Sequence, residues 1–365
     1  MFIYTVKPGD SLFTLSEKFG AGTGDIAEAN GLGPYPYLVI GQALLIPSVN
    51  YKGEAEQINI PRAADHSAPI RVYSDQDEQK VTCMIPFRYR TGMDGELIPD
   101  GDLEVLSKYQ NKIPMTVSIT CGGESVTDHF LNDMNVQCAL INHVLTAIKE
   151  NGFYGLQIDF KLKPFQLPLT VLFLRNMVKV FRPLKIPVSV LIDPVVWHGT
   201  CSYAAVGNIA DYVILKTYDL GSRVSPCAVA PMDLLEEIIK NDITVIPPEK
   251  IILGISLSGR DWQLESGGCA DRSVGLNQAL TIAARYGAQV GFDNKTQSPV
   301  FCYTDEQGRK HTIWFEDALS LYYKLQLIGK YGLKGVSMIL SDSPFILRMI
   351  PFMFSIETID LNEKA

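Results

Sequence analysis

Within residues 154–161, Leu156, Ile158 and Phe160 alternate with Gln157, Asp159 and Lys161. On a strand, alternate residues face opposite sides, so the three polar groups share one face. A carboxylate held there can orient a polar substrate or take part in proton transfer. An amine beside it has two fates. Deprotonated, it is a nucleophile for carbonyl groups and can form a Schiff base. Charged, it needs a carboxylate, because a lone ammonium away from water is costly. Asp159 is two residues back, and Asp193 and Asp219 close other apolar runs. Lys161 is therefore expected to stay charged and pair with one of these three. A second polar group, Lys216, Tyr218 and Asp219, ends another apolar run. Glu124, Asp193 and Asp261 are further acids at predicted strand ends.

The elements that must hold these groups follow from periodicity. Runs at 81–89, 114–121, 155–161, 187–194, 212–219, 250–259 and 335–340 read as strands, separated by helical stretches such as 136–152 and 170–184. Regular strand–helix alternation of this length predicts a parallel sheet closed into a (β/α)8 TIM barrel. The interval before the last strand is too long for one helix. It contains strand-like runs around Gly308, so a small α+β lobe is expected at about 285–317.

The first 48 residues read as a separate unit. Tyr4–Val6 alternate as a strand, Asp10 or Ser11 can cap a helix, and Gly20 can end it. A second short helix stops at Asn30–Gly31, and residues 42–47 return as a strand. Residues 49–66 are mixed and polar, and read as a linker that includes a degenerate first barrel strand at "QINIP". The barrel is expected over 67–365.

Composition bounds the rest. The chain has 365 residues, 47% hydrophobic and 20% charged, with a formal net charge of −8. That balance disfavours nucleic acid, which selects clustered Lys and Arg. No apolar run reaches the roughly 20 residues of a membrane span. No basic region precedes an apolar core at the N-terminus, so no signal peptide is expected. Seven cysteines without a C-x-x-C pair read as free thiols from a reducing compartment. The histidines are scattered, and neither a metal site nor a cofactor is expected.

Two resemblances add to this reading. Tyr4, Val6, Gly9, Asp10, Ser11 and Leu12, then Asn30 and Leu32, then Gly41, Gln42, Leu44, Ile46 and Pro47 resemble the pattern of a LysM module, of βααβ form. The resemblance implies binding of N-acetylglucosamine-containing glycans, peptidoglycan or chitin, between the loop at residues 9–12 and the loop at 31–40. Gly9, Asp10, Ser11, Leu12, Asn30, Tyr37 and Ile40 are its implied contacts, with Tyr35 or Tyr37 against a sugar face.

"PFRYRTGMDGELIPD", "KIILGISLSGRDW" and "QSPVFCYTDEQGRKHTIWFEDALSLYYKLQLIGKYGLKGV" resemble family 18 glycoside hydrolases, specifically the spore cortex-lytic branch that carries LysM modules. Such enzymes cleave cortex peptidoglycan at N-acetylglucosamine and need no cofactor. Their fourth-strand signature, D-G-x-D-x-D-x-E, falls on residues 154–161. It makes Asp159 the orienting carboxylate and places Lys161 where the catalytic glutamate belongs. Tyr218 and Asp219 match the sixth-strand motif, Lys216 replaces its methionine, and Ser337 stands where a tryptophan floors the sugar site. Trp262 is left as the sugar-facing tryptophan.

The family relies on the sugar's own acetamido oxygen as nucleophile and the glutamate as acid. A positioned acid is worth about 10²- to 10⁴-fold. A lysine with an ordinary pKa near ~10.4 replaces it poorly. At about 5 Å and an effective dielectric of about 20, its charge also opposes an oxocarbenium-like transition state by about 3 kcal/mol. The expectation is a glycan-binding protein on a retired hydrolase barrel, made in the cytoplasm of the mother cell and associated with the spore envelope or cell wall. Two alternatives stay open: an active N-acetylglucosaminidase recruiting Glu124, Asp193 or Asp261 as acid, and lysine chemistry at Lys161 or Lys216.

Overall fold

The computed structural model describes residues 1–33, 37–47, 57–59, 71–74, 81–101, 106–107, 112–197, 199–218, 220–221, 225–265, 268–339 and 345–355. Tyr35, Asp219 and most of the expected linker lie outside the described residues.

The N-terminal module is built on β1 (Phe2–Thr5), helices Leu12–Phe19 and Thr23–Ala29, and β2 (Ala43–Ile46). Ser11 caps the first helix by accepting from the Thr14 amide, Thr14 returns the bond, and Gly20 ends it in the left-handed region at φ 64°. Phe2, Tyr4, Leu15, Phe19, Ile26, Leu44 and Ile46 form its core. β3 (Gln57–Asn59) pairs antiparallel with β1, Ile58 opposite Ile3. The "QIN" segment is therefore the third strand of the module sheet and does not start the barrel. An edge of β1 left open by β2 takes it up, a pairing that local pattern does not encode.

The barrel strands are β4 (Arg71–Ser74), β5 (Cys83–Met84), β6 (Arg88–Thr91), β8 (Thr116–Cys121), β9 (Gly155–Asp159), β10 (Val188–Ile192), β11 (Tyr212–Lys216), β12 (Ile251–Ser256) and β18 (Gly335–Ile339), with β7 (Leu97–Asp100) an antiparallel hairpin partner of β6. Each barrel neighbour is parallel to the next, and β18 pairs with β4. The second barrel strand is split at Pro86: β5 pairs with β4, the Met84 amide donates to the Pro114 carbonyl at 2.8 Å, and β6 pairs with β8. Proline removes a ladder donor, so one strand becomes two pieces that together close the ring.

Between β12 and β18 lies the lobe, a five-stranded antiparallel sheet in the order β14-β13-β17-β16-β15. Its strands are β13 (Gly259–Glu265), β14 (Gly268–Val274), β15 (Gly291–Asp293), β16 (Ser298–Thr304) and β17 (Lys310–Trp314), with helix Leu276–Arg285 between β14 and β15. The lobe thus begins at Gly259 rather than near 285, because the hairpin β13–β14 belongs to it. The module is docked on this lobe. From the lobe, Val290 donates its amide to the Ile40 carbonyl at 2.9 Å, and from helix Phe345–Met353, beyond β18, Arg348 pairs with Glu28. Gly41, at φ +87°, lies so close that an added Cβ would stand 1.8 Å from the Val290 carbonyl oxygen.

Candidate active site and glycan-binding surfaces

At the C-terminal mouth of the barrel, a cavity of about 390 Å³ is lined by Gln157 and Asp159 of β9, Ser118 of β8, Arg88 and Asp100 of the β6–β7 hairpin, Tyr218 after β11 and Ser337 of β18, with apolar walls from Pro86, Leu191 and Met338. Gln157 and Asp159 do face inward together. Gln157 donates to the Ser118 hydroxyl at 3.2 Å. Burial raises the Asp159 carboxyl above its ordinary value, opposed by the charges of Lys216, Lys161 and Arg88 in that order. Lys216 Nζ sits 5.5 Å from the centre of the Tyr218 ring, where a cation–π contact holds it.

Lys161 is not in this cavity. β9 ends at Asp159, and Lys161 is exposed two residues beyond it. Among the described residues it makes no ion pair, with Asp159 and Asp193 included. Exposure supplies the reason: water solvates the ammonium, so no carboxylate is required. The expected pairing with Asp159 or Asp193 is thus corrected to a long-range influence on Asp159, while Asp219, the third expected partner, lies outside the described residues.

The three proposed substitute acids are each engaged elsewhere. Glu124 is exposed and paired with Lys163. Asp193 accepts from the Val195 amide at 3.0 Å, at the turn into helix Pro194–Trp197. Asp261 is fully buried in the lobe. None lines the mouth cavity. Asp100, which pattern reading passed over, does line it, but Arg88 holds it at 2.9 Å. Its signal was the hairpin within "PFRYRTGMDGELIPD". Cys121 ends β8 close enough for the Asp159 charge to act on it, and burial pushes its thiol up to about 12. It stays a thiol rather than a nucleophile at neutral pH.

No tryptophan lines the cavity among its described residues, and Ser337 occupies the expected tryptophan position. Trp262 is 0% exposed inside the lobe, beneath Arg260 at 5.6 Å. It cannot present a face to a sugar, which corrects that assignment. The resemblance supplied a tryptophan near a strand end without saying which face the lobe covers.

In the module, Gly9 adopts φ +88° and turns the chain. Asp10 accepts from the Tyr4 hydroxyl at 2.8 Å and the Lys7 amide at 2.7 Å, so its carboxylate builds the loop. Asn30 is buried and spends its amide on the backbone of Ile26 and Leu45, at 2.7–2.8 Å. It ties the second helix to β2 and does not face a ligand. Tyr37 is 84% exposed and Phe13 is 68% exposed. Phe13 was not singled out from sequence, though an aromatic at an outward helical position is the signal. Ile40 lines a cavity of about 900 Å³ that runs between residues 31–33 and 37–40 of the module and residues 277–289 of the lobe. Residues 9–12 are not among its lining.

The model for glycosyl hydrolases family 18 matches residues 93–340, and the LysM domain model matches residues 4–47. The chain belongs to glycosyl hydrolases family 18. It carries an N-terminal LysM domain. It is 30% identical to the cortical fragment-lytic enzyme of Bacillus subtilis (strain 168), over 92% of this chain and 94% of that protein. It is 26% identical to a putative sporulation-specific glycosylase, YdhD, of the same organism, again over 92% and 94%. The crystal structure of the Bacillus megaterium QM B1551 spore cortex-lytic enzyme SleL superposes with a TM-score of 0.84 at 26% identity, covering 98% of this chain and 99% of that one. The TIM barrel and the LysM domain read from sequence are therefore correct. No helix among the described residues is long and apolar enough to cross a membrane.

Proposed function

We propose that this protein binds N-acetylglucosamine-containing wall glycan through its LysM domain and that its family 18 barrel does not hydrolyse it. The observation that carries the reading is the set of carboxyl groups at the barrel mouth. Asp159 and Asp100 line the cavity, Asp100 is neutralised by Arg88, and the position that should supply the acid holds an exposed lysine. Asp159 keeps the role of orienting an acetamido group, with Tyr218 beside it. Among the described residues, no second free acid lines the cavity opposite it to protonate a leaving oxygen. Residues 9–12, 31–33 and 37–40, with Phe13 and Tyr37 as exposed rings, supply loop amides and aromatic faces suited to acetamido sugars. The sporulation proteins among the relatives support placement on the spore envelope. Cell fractionation across sporulation tests that placement.

The functional test has two arms. The full-length protein should sediment with insoluble peptidoglycan, and Tyr37→Ala should weaken that retention. Incubation with cortex peptidoglycan or N-acetylglucosamine oligomers should release no more than trace reducing ends. Turnover of about 1 per second or more would overturn the inactive reading. One observation favours a second reading. Burial raises Asp159, among the described residues the lining carboxyl without an arginine ion pair, toward holding a proton. If turnover is found, Asp159→Asn should abolish it, while Glu124→Gln, Asp193→Asn and Asp261→Asn should not.

A further inference from the structure

The lobe carries a second polar cavity, of about 320 Å³, on the sheet face beside helix Leu276–Arg285. Its floor is Asp261, fully buried, which accepts from His311 Nδ1 at 2.9 Å, from the Tyr303 hydroxyl at 2.9 Å and from Arg272 at 2.8 Å. Above it Tyr286, Tyr303 and His311 form a continuous stack, with ring centres 4.8 and 4.6 Å apart. Asp305, also nearly buried, is held by Arg309 at 2.6 Å. Arg285 closes the rim and pairs with Glu306 outside it.

We propose that this cavity binds the carboxylate of an acidic amino sugar, as a subsite beside the LysM domain; this rests on the glycan-binding reading above. Three guanidinium groups line it against two aspartates, in a chain whose overall charge is −8. The arrangement is layered. Both carboxylates lie inside, at 0 and 9% exposure, while the guanidiniums are 49–62% exposed at the rim. Each guanidinium has five donors in a planar fork that matches a carboxylate. Asp261, Asp305 and Glu306 balance the three charges but use only part of that supply, so the rim an incoming group meets is rich in guanidinium donors. His311, over nine-tenths buried, lines the same cavity with its Nε2 lacking a hydrogen-bond partner among the described residues; the nearest charge is Asp305 at 3.4 Å. That nitrogen lies on the cavity wall and is available to a group that enters.

Continuity selects the ligand. Arg285 lines this cavity and also the larger one between the lobe helix and residues 31–33 and 37–40 of the LysM domain. A saccharide held at the LysM loop can therefore extend along the helix to the tyrosine stack. There an aromatic face suits a sugar ring and the arginines suit a carboxylate on it.

Binding of two probes to the full-length protein tests this by calorimetry: N-acetylmuramic acid, an amino sugar whose lactyl carboxylate is free, and chitotetraose, a neutral N-acetylglucosamine oligomer. Arg309→Gln should weaken the acidic probe at least tenfold, Arg309→Lys should restore part of the loss, and neither should change the neutral probe. Arg285→Gln, at the exposed helix end, should weaken the acidic probe even if Arg309→Gln perturbs its turn. Raising salt from 0.05 to 0.5 M should weaken the acidic probe more than the neutral one. Failure of the acidic probe to bind, or binding that both arginine variants leave unchanged, overturns the subsite. If chitotetraose does not bind while the acidic probe binds in an Arg309-dependent way, the subsite stands and the LysM reading falls.

Discussion

The most demanding test of how the lobe joins the barrel is Lys324→Met. Lys324, on helix Ala318–Tyr331, is 0% exposed and donates to Glu316, which is 1% exposed and directly follows the last lobe segment. The second carboxylate oxygen of Glu316 has no partner among the described residues. Methionine fills similar volume, so packing is nearly conserved and the change isolates the charge. Removing the ammonium leaves a carboxylate in the interior with no compensating cation, a loss of about 3–5 kcal/mol. The adjacent Asp317, also fully buried, adds like charge. Urea denaturation of wild type and variant measures the loss as a lower midpoint at unchanged slope. The pair variant Lys324→Met with Glu316→Gln removes the stranded charge and should recover most of the stability, giving a coupling term of at least about 2 kcal/mol. A Lys324→Met protein as stable as wild type, or a pair variant no better than the single one, would refute the reasoning. The first outcome means that the charge is solvated in solution; the second means that lost packing, not charge, is responsible.

Three further outcomes follow from single positions. Burial pushes Asp317 up to about 6, above its unfolded value, so its contribution favours the folded state below about pH 4 and is lost as pH rises through about 6; Asp317→Asn should flatten that part of the stability–pH profile, by about 2–3 kcal/mol, while keeping an acceptor at the helix cap. Lys161→Met should change stability by no more than about 0.5 kcal/mol, since the side chain is exposed, and should raise the Asp159 carboxyl further in a carbon-13 NMR titration; a loss of several kcal/mol would restore the buried-pair picture. Gly41→Ala should loosen the LysM domain from the lobe, because the new Cβ would meet the Val290 carbonyl and the backbone is left-handed there; increased protease cleavage between the units and a lower unfolding temperature would report it.

Much of this molecule is written locally. The LysM domain was legible because its turns, caps and glycines act over a few residues: Gly9, the Ser11–Thr14 box and Gly20 each solve a backbone problem where they stand. The barrel was legible because seven apolar runs recur at strand length. The inward row of β9 was legible because period two holds inside a strand. It failed one step later. Lys161 lies past the end of β9, where parity no longer sets direction, and only the chain path after Asp159 decides that the amine reaches water. Pairings across long sequence separations were hidden for a related reason. That Gln57–Asn59 joins β1, that β13–β14 belongs to the lobe, and that Trp262 is enclosed there depend on which open edge or face each segment meets. The same holds for Asp261, read as a candidate acid, which gathers His311, Tyr303 and Arg272 from three other strands. Residue type told that these groups are chemically able. Desolvation and distance, which exist only once distant segments meet, decided which of them are catalytic-site walls, which are solvated and which are locked in the interior.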